Sequence, residues 1–329
     1  MKLLVLSAAE VHDLLGYGEC AAAMRAALTE LSAGRADQPL RTWTSSPAVR
    51  GRTGLMPALV PGPERVAYGL KVISLRPGNP ALGLASHIGL MLLSDFVTGA
   101  PLAVLNASAL TEIRTAAVSV LATDVLARPG ASDLAVIGTG PQARAHVLAF
   151  SQTRPLRRIR IAGRGPSSAD RLAAQLRPLV GAEITAAPSA RDAVAGADII
   201  VTVTSSPDPV LQRDWIEPGA HINAVGASQP ATREIDGATV AAAALFADSR
   251  DALLAEAGEY LLARKDGLIG PGHVRAELGE VLAGSAGGRR SDTEITLFKS
   301  LGLAVEDVAA AQLAYEKAVA TGAGQWTEF

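Results

Sequence analysis

Hydrophobic positions recur every three or four residues near the start of the chain, which is the spacing of an amphipathic helix. They run through residues 8–33, and Gly34 supplies a stop signal. Short apolar runs broken by Gly, Pro and Asn then predict strands at 54–58, 67–74, 90–94 and 101–105. The first third is therefore expected to be β-rich behind a leading helix.

The pattern changes at residue 110, where an apolar stripe predicts a helix that continues to residue 126. Strands then alternate with helices. The predicted strands are 134–137, 158–162, 183–186, 198–204, 220–225 and 244–247, and the predicted helices are 141–152, 168–178, 189–195, 251–263 and 303–320. Such alternation is typical of a parallel, doubly wound sheet.

The first strand of this alternating region runs into a glycine-rich turn. The turn reads Gly138-Thr139-Gly140-Pro141-Gln142-Ala143 and fits the Gly-x-Gly-x-x-Gly/Ala fingerprint of dinucleotide-binding proteins. Gly138 permits the tight turn, Gly140 lets the backbone approach a pyrophosphate, and Ala143 lets the helix pack closely on the strand. The helix N-terminus then offers free N–H groups to the phosphates. We expect an α/β protein with a doubly wound (Rossmann) dinucleotide domain at 113–302 and a β-rich α+β domain at 1–112 with 303–329.

The end of the second strand of such a unit selects between NADH and NADPH. An NAD-binding unit places Asp or Glu there, but here the strand 158–162 is followed by Gly163, Arg164, Gly165, Pro166, Ser167 and Ser168. Arg164 can face a 2′-phosphate and the serines can donate hydrogen bonds to it. NADPH is the preferred cofactor and NADH remains possible. The alternative is that Arg164 stacks on the adenine or points to solvent.

Composition narrows the class of protein further. The chain has 329 residues, of which 49% are hydrophobic and 19% charged, with a net charge of -2, so we expect a globular protein without a nucleic-acid or membrane partner. Cys20 is the single cysteine, and the five histidines lack metal-ligand spacing, so no metal is expected. The apolar run 3–6 is too short for a secretory leader, which favours a cytoplasmic location. No Gly-x-Ser-x-Gly elbow supports hydrolase chemistry.

Three cations in the first third could serve an amino- or imino-acid substrate, which needs positive charge for its carboxylate and a proton donor near its nitrogen. Lys71 interrupts an apolar strand, so it is either paired, at a sheet edge or functional. Arg114 is placed in the first turns of a helix, where the dipole disfavours a structural cation, and this favours contact with an anion. Arg41, taken alone, is favoured as a surface residue, with a functional role as the alternative.

Several longer segments, taken together and in this order, resemble the ornithine cyclodeaminase/mu-crystallin family of NAD(P)-dependent enzymes along nearly the whole chain. The segments are Leu55–Ala58, Gly69–Lys71, Leu110–Ala117, the fingerprint, Ala197–Thr204, Pro218–Ala227 and Phe298–Asp307. The resemblance implies a homodimer formed through the β-rich domain, with the active site between that domain and the dinucleotide domain.

The resemblance also assigns residues. Arg41, Lys71 and Arg114 match positions that hold the substrate carboxylate, and Lys71 also matches the proton-transfer residue. Met56, with Trp43 and Leu84, is expected to line the substrate pocket. The fingerprint, Gly163, Arg164 and Ser167 are joined as expected cofactor contacts by Ser86, His87, Arg114, Thr115, Thr204, Val225, Ser228 and Lys299.

Three sequence features distinguish this chain from the ornithine cyclodeaminases of the family. Gly54 stands where they carry an acidic residue, Ser228 stands where they carry an Asp, and the second strand lacks their acidic NAD selector. On these points the chain resembles mu-crystallin, a ketimine reductase. The implied reaction is hydride transfer to the C=N bond of a cyclic ketimine carboxylate, 1-pyrroline-2-carboxylate or 1-piperideine-2-carboxylate.

Three alternatives stay open at this point. The first is reductive amination of a 2-oxo acid, of the alanine dehydrogenase or opine type. The second is cyclodeamination of ornithine or lysine, and the third is a ligand-binding protein that retains NADPH with little catalysis.

Overall fold

The computed structural model describes residues 2–62 and 66–329, without the side chains of Pro80 and Pro166. Its strands are β1 (Lys2–Leu6), β2 (Thr42–Ser46), β3 (Val49–Pro61), β4 (Val66–Leu75), β5 (His87–Asp95), β6 (Pro101–Asn106), β7 (Asp133–Ile137), β8 (Arg158–Ala162), β9 (Glu183–Ala186), β10 (Ile199–Thr202), β11 (His221–Ala224), β12 (Ala244–Ala247), β13 (Val274–Glu277), β14 (Thr296–Lys299) and β15 (Gln325–Glu328). Its α-helices are α1 (Ala8–Leu14), α2 (Tyr17–Ser32), α3 (Ala107–Leu126), α4 (Pro141–Thr153), α5 (Pro166–Leu176), α6 (Ala190–Val194), α7 (Gly237–Ala242), α8 (Arg250–Glu256), α9 (Gly258–Lys265), α10 (Leu278–Leu282) and α11 (Ala304–Thr321).

The chain divides into two compact units. Unit 1 comprises the residues up to Arg114 together with Gly302–Phe329, and unit 2 comprises Thr115–Leu301. The domain boundaries expected from the sequence, after residues 112 and 302, lie two residues and one residue from these divisions.

Unit 1 is built on a sheet with the strand order β15-β1-β6-β5-β4-β3-β2, in which the central pairs are antiparallel. Because side chains alternate along a strand, Met56 of β3, Lys71 of β4 and Met91 of β5 form one row on the buried face. Helix α11 packs on this face, against β3 and β4. Gly69 permits the close approach, since a Cβ there would lie 2.7 Å from Val308 of α11.

Unit 2 is a parallel sheet with the strand order β13-β12-β14-β11-β10-β7-β8-β9. Its central strands β7 and β10 are buried along their whole length, as expected for a sheet covered on both faces. The strand order reverses direction between β7 and β10, which is the switch point where doubly wound folds bind dinucleotides. The predicted α/β fold class is confirmed.

Two predicted helices are each divided in the structure. The leading helix breaks between Leu14 and Tyr17, where Gly16 caps the second helix. The helix predicted over 251–263 breaks at Ala257 into α8 and α9. The second break follows from packing, because a Cβ on Gly258 would lie 1.9 Å from the carbonyl oxygen of Thr232.

Several short elements were not predicted from the sequence: β1, β13, β14, β15, α7 and α10. Each has seven residues or fewer, too short for a periodic pattern to separate a helix from a strand. Within the described ranges, no helix is long and apolar enough to cross a lipid bilayer.

Candidate active site

A buried group of charged side chains lies in unit 1 between the sheet and the helices. We call Arg41, Lys71, Arg114, Glu306 and Asp307 the charged cluster. Lys71 Nζ lies 2.5 Å from Asp307 Oδ2, Arg114 Nη1 lies 2.8 Å from Glu306 Oε2, and Arg114 Nε lies 2.9 Å from Asp307 Oδ1. Asp307 therefore bridges the two cations.

Four segments of the chain supply the charged cluster. Lys71 projects from the interior strand β4, so it does not lie at a sheet edge, and its Nζ also donates to Thr111 Oγ1 of α3 at 3.4 Å. Glu306 and Asp307 lie in the first turn of α11, where the helix dipole favours carboxylates. Arg114 is the eighth residue of α3, which corrects the prediction that it lies in the first turns.

Arg41 reaches the charged cluster from the segment before β2. Its Nη2 donates to the carbonyl oxygen of Gly302 at 3.1 Å. Gly302 has a φ of 77°, and a Cβ there would lie 2.8 Å from both terminal nitrogens of Arg114. Glycine thus allows the segment before α11 to pass over the Arg114 guanidinium and join Arg41 to the cluster.

The cluster contains three cations and two carboxylates. Lys71 is 2% exposed and Arg114 is 4% exposed, so both are held largely out of water, while Arg41 is half-buried. Burial lowers the pKa of Lys71 to about 8, and the neighbouring Arg114 and Arg41 lower it too, while Asp307 opposes the shift. The Lys71 ammonium is therefore a stronger acid than the ammonium of an exposed lysine.

The remaining unit 1 residues expected at the site differ in how close they lie to this cluster. Met56 is paired with Lys71 across β3 and β4 and is buried. Ser86 Oγ lies 3.0 Å from His87 Nδ1 at the start of β5, and desolvation and then the charge of Lys71 lower the pKa of His87. Leu84 is 52% exposed.

Trp43 lies one row from Met56 and Lys71 on the same face of the sheet. It is paired with Gly54, and a Cβ on Gly54 would lie 2.8 Å from the indole ring. The guanidinium of Arg52 lies 3.6 Å from the ring centroid, a cation–π contact that holds the indole in place. Trp43 thus fills the space that a side chain at position 54 would need.

The fingerprint residues lie at the carboxyl edge of the unit 2 sheet. Gly138 has a φ of 137°, and a Cβ there would lie 2.7 Å from the carbonyl oxygen of Val203, so the turn requires glycine. Gly140 caps α4 without a side-chain cap hydrogen bond, and Pro141 and Gln142 begin the first turn of the helix. Nothing lies within 4 Å of a Cβ on Gly140. The open N-terminus fits a dinucleotide pyrophosphate.

The segment after β8 shapes the far end of this edge. A Cβ on Gly163 would lie 2.7 Å from Thr139 Cγ2, so the segment passes close to the fingerprint turn. Arg164 and Ser167 are exposed beyond it, and no carboxylate stands between the end of β8 and the start of α5.

Further expected cofactor contacts lie past the switch point. Thr204 follows β10, and Val225 and Ser228 follow the neighbouring β11. Lys299 ends β14 and is 1% exposed, and its ammonium contacts Glu259 and Ala227 within unit 2. Thr115 lies on α3 and is buried.

Two acidic residues of the charged cluster were not predicted from the sequence as site residues. Glu306 and Asp307 are both fully buried, although they stand in an otherwise apolar helical stretch. Within the described residues, no group of three or more His, Cys, Asp and Glu side chains could hold a metal ion.

Known proteins are similar to this chain along nearly its whole length. A model of the ornithine cyclodeaminase/mu-crystallin family matches residues 1–322. A Delta(1)-pyrroline-2-carboxylate reductase of Bacillus cereus is 38% identical to this chain, over 99% of this chain and 100% of its own length. The ketimine reductase mu-crystallin of Mus musculus is also 38% identical, over 94% of this chain and 96% of its own.

Two solved structures are similar over almost the whole chain. The Delta(1)-pyrroline-2-carboxylate reductase of Thermococcus litoralis, in complex with NADH and L-proline, superposes with a TM-score of 0.93 at 38% identity and covers 98% of this chain and 99% of its own. An archaeal alanine dehydrogenase dimer with bound NAD superposes with a TM-score of 0.93 at 33% identity, with full coverage of both chains.

Proposed function

Because this chain belongs to the ornithine cyclodeaminase/mu-crystallin family, we propose that it reduces 1-pyrroline-2-carboxylate to proline and prefers NADPH. The chain is an NAD(P)-dependent oxidoreductase acting on a C=N bond, as predicted from its sequence and in agreement with its relatives. The choice of the five-membered ring rests on the relatives named Delta(1)-pyrroline-2-carboxylate reductase, and the choice of NADPH over NADH rests on the segment after β8.

The observation that carries the proposal is the buried Lys71 beside the guanidinium groups of Arg41 and Arg114. The two guanidinium groups supply donors suited to a substrate carboxylate, and Lys71 supplies a proton close to them. A cyclic ketimine carboxylate carries the two features that this arrangement serves, one carboxylate and an imine nitrogen.

Lys71 supplies the acid that the reduction needs. A bound nicotinamide dinucleotide would supply the hydride for the imine carbon, and the imine nitrogen must gain a proton. With a pKa of about 8, the Lys71 ammonium is mostly protonated at neutral pH yet acidic enough to donate. Thr111 and Asp307 hold the ammonium in position, and the amine regains a proton from solvent after proline leaves.

The cofactor preference rests on charge at the end of β8. No carboxylate in the segment 163–165 would repel a 2′-phosphate, and Arg164 in that segment is exposed, which supports the preference for NADPH. NADH remains the alternative, since the solved relatives named above carry NADH or NAD.

We also propose a homodimer formed through unit 1. The face of its sheet opposite α11 carries a row of apolar side chains, Leu55, Val72 and Leu90, across three neighbouring strands. Leu55 is 39% exposed and Leu90 is 45% exposed. Contiguous exposed apolar surface of this kind marks a protein interface. A cytoplasmic location remains a prediction.

The test is NADPH oxidation, followed at the nicotinamide absorbance, with 1-pyrroline-2-carboxylate and 1-piperideine-2-carboxylate, and with NADH in parallel. We expect turnover of the five-membered ring to exceed that of the six-membered ring and NADPH to exceed NADH. Pyruvate with ammonia tests the second candidate, reductive amination, which the similarity to an alanine dehydrogenase favours. Turnover only with pyruvate and ammonia would refute the imine proposal.

A further inference from the structure

The nicotinamide half of a dinucleotide is expected at the second half of a doubly wound sheet, past the switch point. In unit 2 this half begins with the neighbouring strands β10 and β11. The segments that leave their carboxyl ends, 203–206 and 225–228, hold the expected cofactor contacts Thr204, Val225 and Ser228. What fixes these two segments therefore bears on the reaction.

One buried carboxylate bonds both segments. Glu234 Oε1 accepts from the Thr204 N–H at 2.5 Å, and Glu234 Oε2 accepts from the Gly226 N–H at 2.6 Å. Oε2 also accepts from Thr202 Oγ1 of β10 at 2.9 Å. Glu234 is fully buried, so these bonds do not compete with water. Desolvation raises the pKa of its carboxyl group, while the hydrogen bonds from Thr204 and the charge of Lys299 lower it.

The backbone around Glu234 is shaped for this contact. A Cβ on Gly226 would lie 2.2 Å from the carbonyl oxygen of Thr204 and 2.6 Å from the Glu234 carboxylate. Glycine at position 226 therefore lets the two segments and the carboxylate meet. Main-chain bonds from Val225 and Gly226 to the carbonyl oxygen of Thr202 add to the junction.

A buried ion pair of Glu259 and Lys299 lies next to Glu234. Glu259 Oε1 accepts from the Glu234 N–H at 3.2 Å, and Glu259 Oε2 lies 3.1 Å from Lys299 Nζ. Lys299 Nζ also donates to the carbonyl oxygen of Ala227 at 2.5 Å. The segment 225–228 is thus held by Glu234 at one residue and by Lys299 at the next.

We propose that Glu234 is a positioning residue for imine reduction, which sets the spacing of segments 203–206 and 225–228 so that they bind the nicotinamide half of the cofactor. Glu259 supports it by accepting from the Glu234 N–H, and Lys299 supports it by donating to the carbonyl oxygen of Ala227. The proposal rests on the proposed function, in that it assumes a nicotinamide dinucleotide in unit 2. The fingerprint turn at 138–143 lies on the other side of the switch point. It packs against Val203, whereas the Glu234 carboxylate bonds Thr204 and Gly226.

The test separates the two halves of the cofactor in the full-length protein. Glu234→Gln replaces one acceptor oxygen with an NH2 group. This group would face the N–H of Thr204 or Gly226, so the side-chain bond to one of the two segments is lost. Affinity is measured by fluorescence titration for NADPH and for adenosine 2′,5′-bisphosphate (ADP where NADH is preferred), a fragment without nicotinamide. Glu217→Gln, an exposed change in the same unit, is the matched control.

Loss of one buried bond to a charged group predicts a fall of about 10- to 100-fold in NADPH affinity or in kcat/KM for the imine. Affinity for the fragment should remain within about twofold of the wild type, as should both properties of Glu217→Gln, because surface changes have small effects. Equal weakening of NADPH and the fragment would mean a general structural role and would overturn the proposal, as would no change in either.

A second variant protects the test against misfolding. If Glu234→Gln yields no folded protein, Thr202→Val removes only the hydroxyl donor to Oε2 and should show the same selectivity with a smaller change.

The result also separates the two proposals. Wild-type protein that binds NADPH but reduces no imine would refute the proposed function and leave the role of Glu234 in cofactor binding to be decided by the titrations. Wild-type protein that binds no dinucleotide would refute both.

Discussion

Asp307 offers the sharpest test of the proton-transfer chemistry, because it is the main group that keeps a proton on Lys71. Its carboxylate lies 2.5 Å from Lys71 Nζ, and it opposes the effects of burial, Arg114 and Arg41 on the pKa of that lysine. Asp307→Asn removes the charge and preserves the shape. The pKa of Lys71 should therefore fall further, and the active protonated form should be lost at lower pH.

The magnitude follows from the distance and the burial. Removing an opposite charge at this separation shifts a pKa by about 1–3 units. From a starting value of about 8, Lys71 would then lose its proton between about pH 5 and pH 7. The protonated fraction at pH 7 would fall from about 0.9 to between about 0.5 and 0.01, which is a loss of about 2- to 90-fold in rate.

The assay is kcat/KM for reduction of 1-pyrroline-2-carboxylate with saturating NADPH between pH 5 and pH 9. The wild-type profile should fall as the pH rises through about 8, and the Asp307→Asn profile should fall at lower pH and recover part of its rate in acid. Glu306→Gln is the control, because Glu306 contacts Arg114 rather than Lys71. Melting temperatures establish that both variants fold.

Ionisation of the imine itself is common to all variants, so it cannot move one profile relative to another. If the alkaline limbs of folded Asp307→Asn and wild-type enzyme coincide, Lys71 is not the group that donates the proton. A shift to higher pH would contradict the assigned electrostatics.

Three other changes test the cofactor segment, the Trp43 contact and the apolar row. Arg164→Asp should raise KM for NADPH by about tenfold or more and leave KM for NADH almost unchanged, since a bond to a charged group is lost; equal effects on both cofactors in steady-state kinetics would remove Arg164 from cofactor selection. Gly54→Glu should lower stability by about 1–3 kcal/mol, since a Cβ at 54 would lie 2.8 Å from Trp43; thermal unfolding should show partial recovery in the double variant with Trp43→Ala, and equal instability of the single and double variants would exclude this collision. Leu90→Lys places a charge on the exposed apolar row of unit 1 and should shift the protein toward monomer in light scattering; an unchanged dimer would place the interface elsewhere.

Unit 2 could be predicted from the sequence because its signals are local. Strands β8, β9 and β12 begin and end at the predicted residues, since each is a short run with clear breaks on both sides. The fingerprint likewise combines a turn, a close approach and a helix start within six residues, so its geometry is set by its own glycines.

Unit 1 was predicted less completely because its strands depend on their neighbours. Strand β3 runs from Val49 to Pro61, whereas the apolar pattern predicts only 54–58. Strand β3 pairs with β4 over its residues Arg52 to Pro61. This register follows from the assembled sheet and not from the local pattern. Strand β15 pairs with β1 more than three hundred positions away along the chain, a contact that periodicity does not report.

The acidic half of the charged cluster shows where a different sequence argument could have succeeded. Glu306 and Asp307 stand side by side in the apolar stretch that forms α11, and they lie about 190 residues beyond Arg114. Their position in a first turn has a sufficient local explanation in the helix dipole. However, apolar residues flank them on both sides at 303–305 and 308–311, so this turn can be expected to lie in the core. Carboxylates in such a place require cationic partners. Lys71 and Arg114 are the cations set in apolar segments of the same unit, and pairing the two anomalies predicts the cluster that the structure shows.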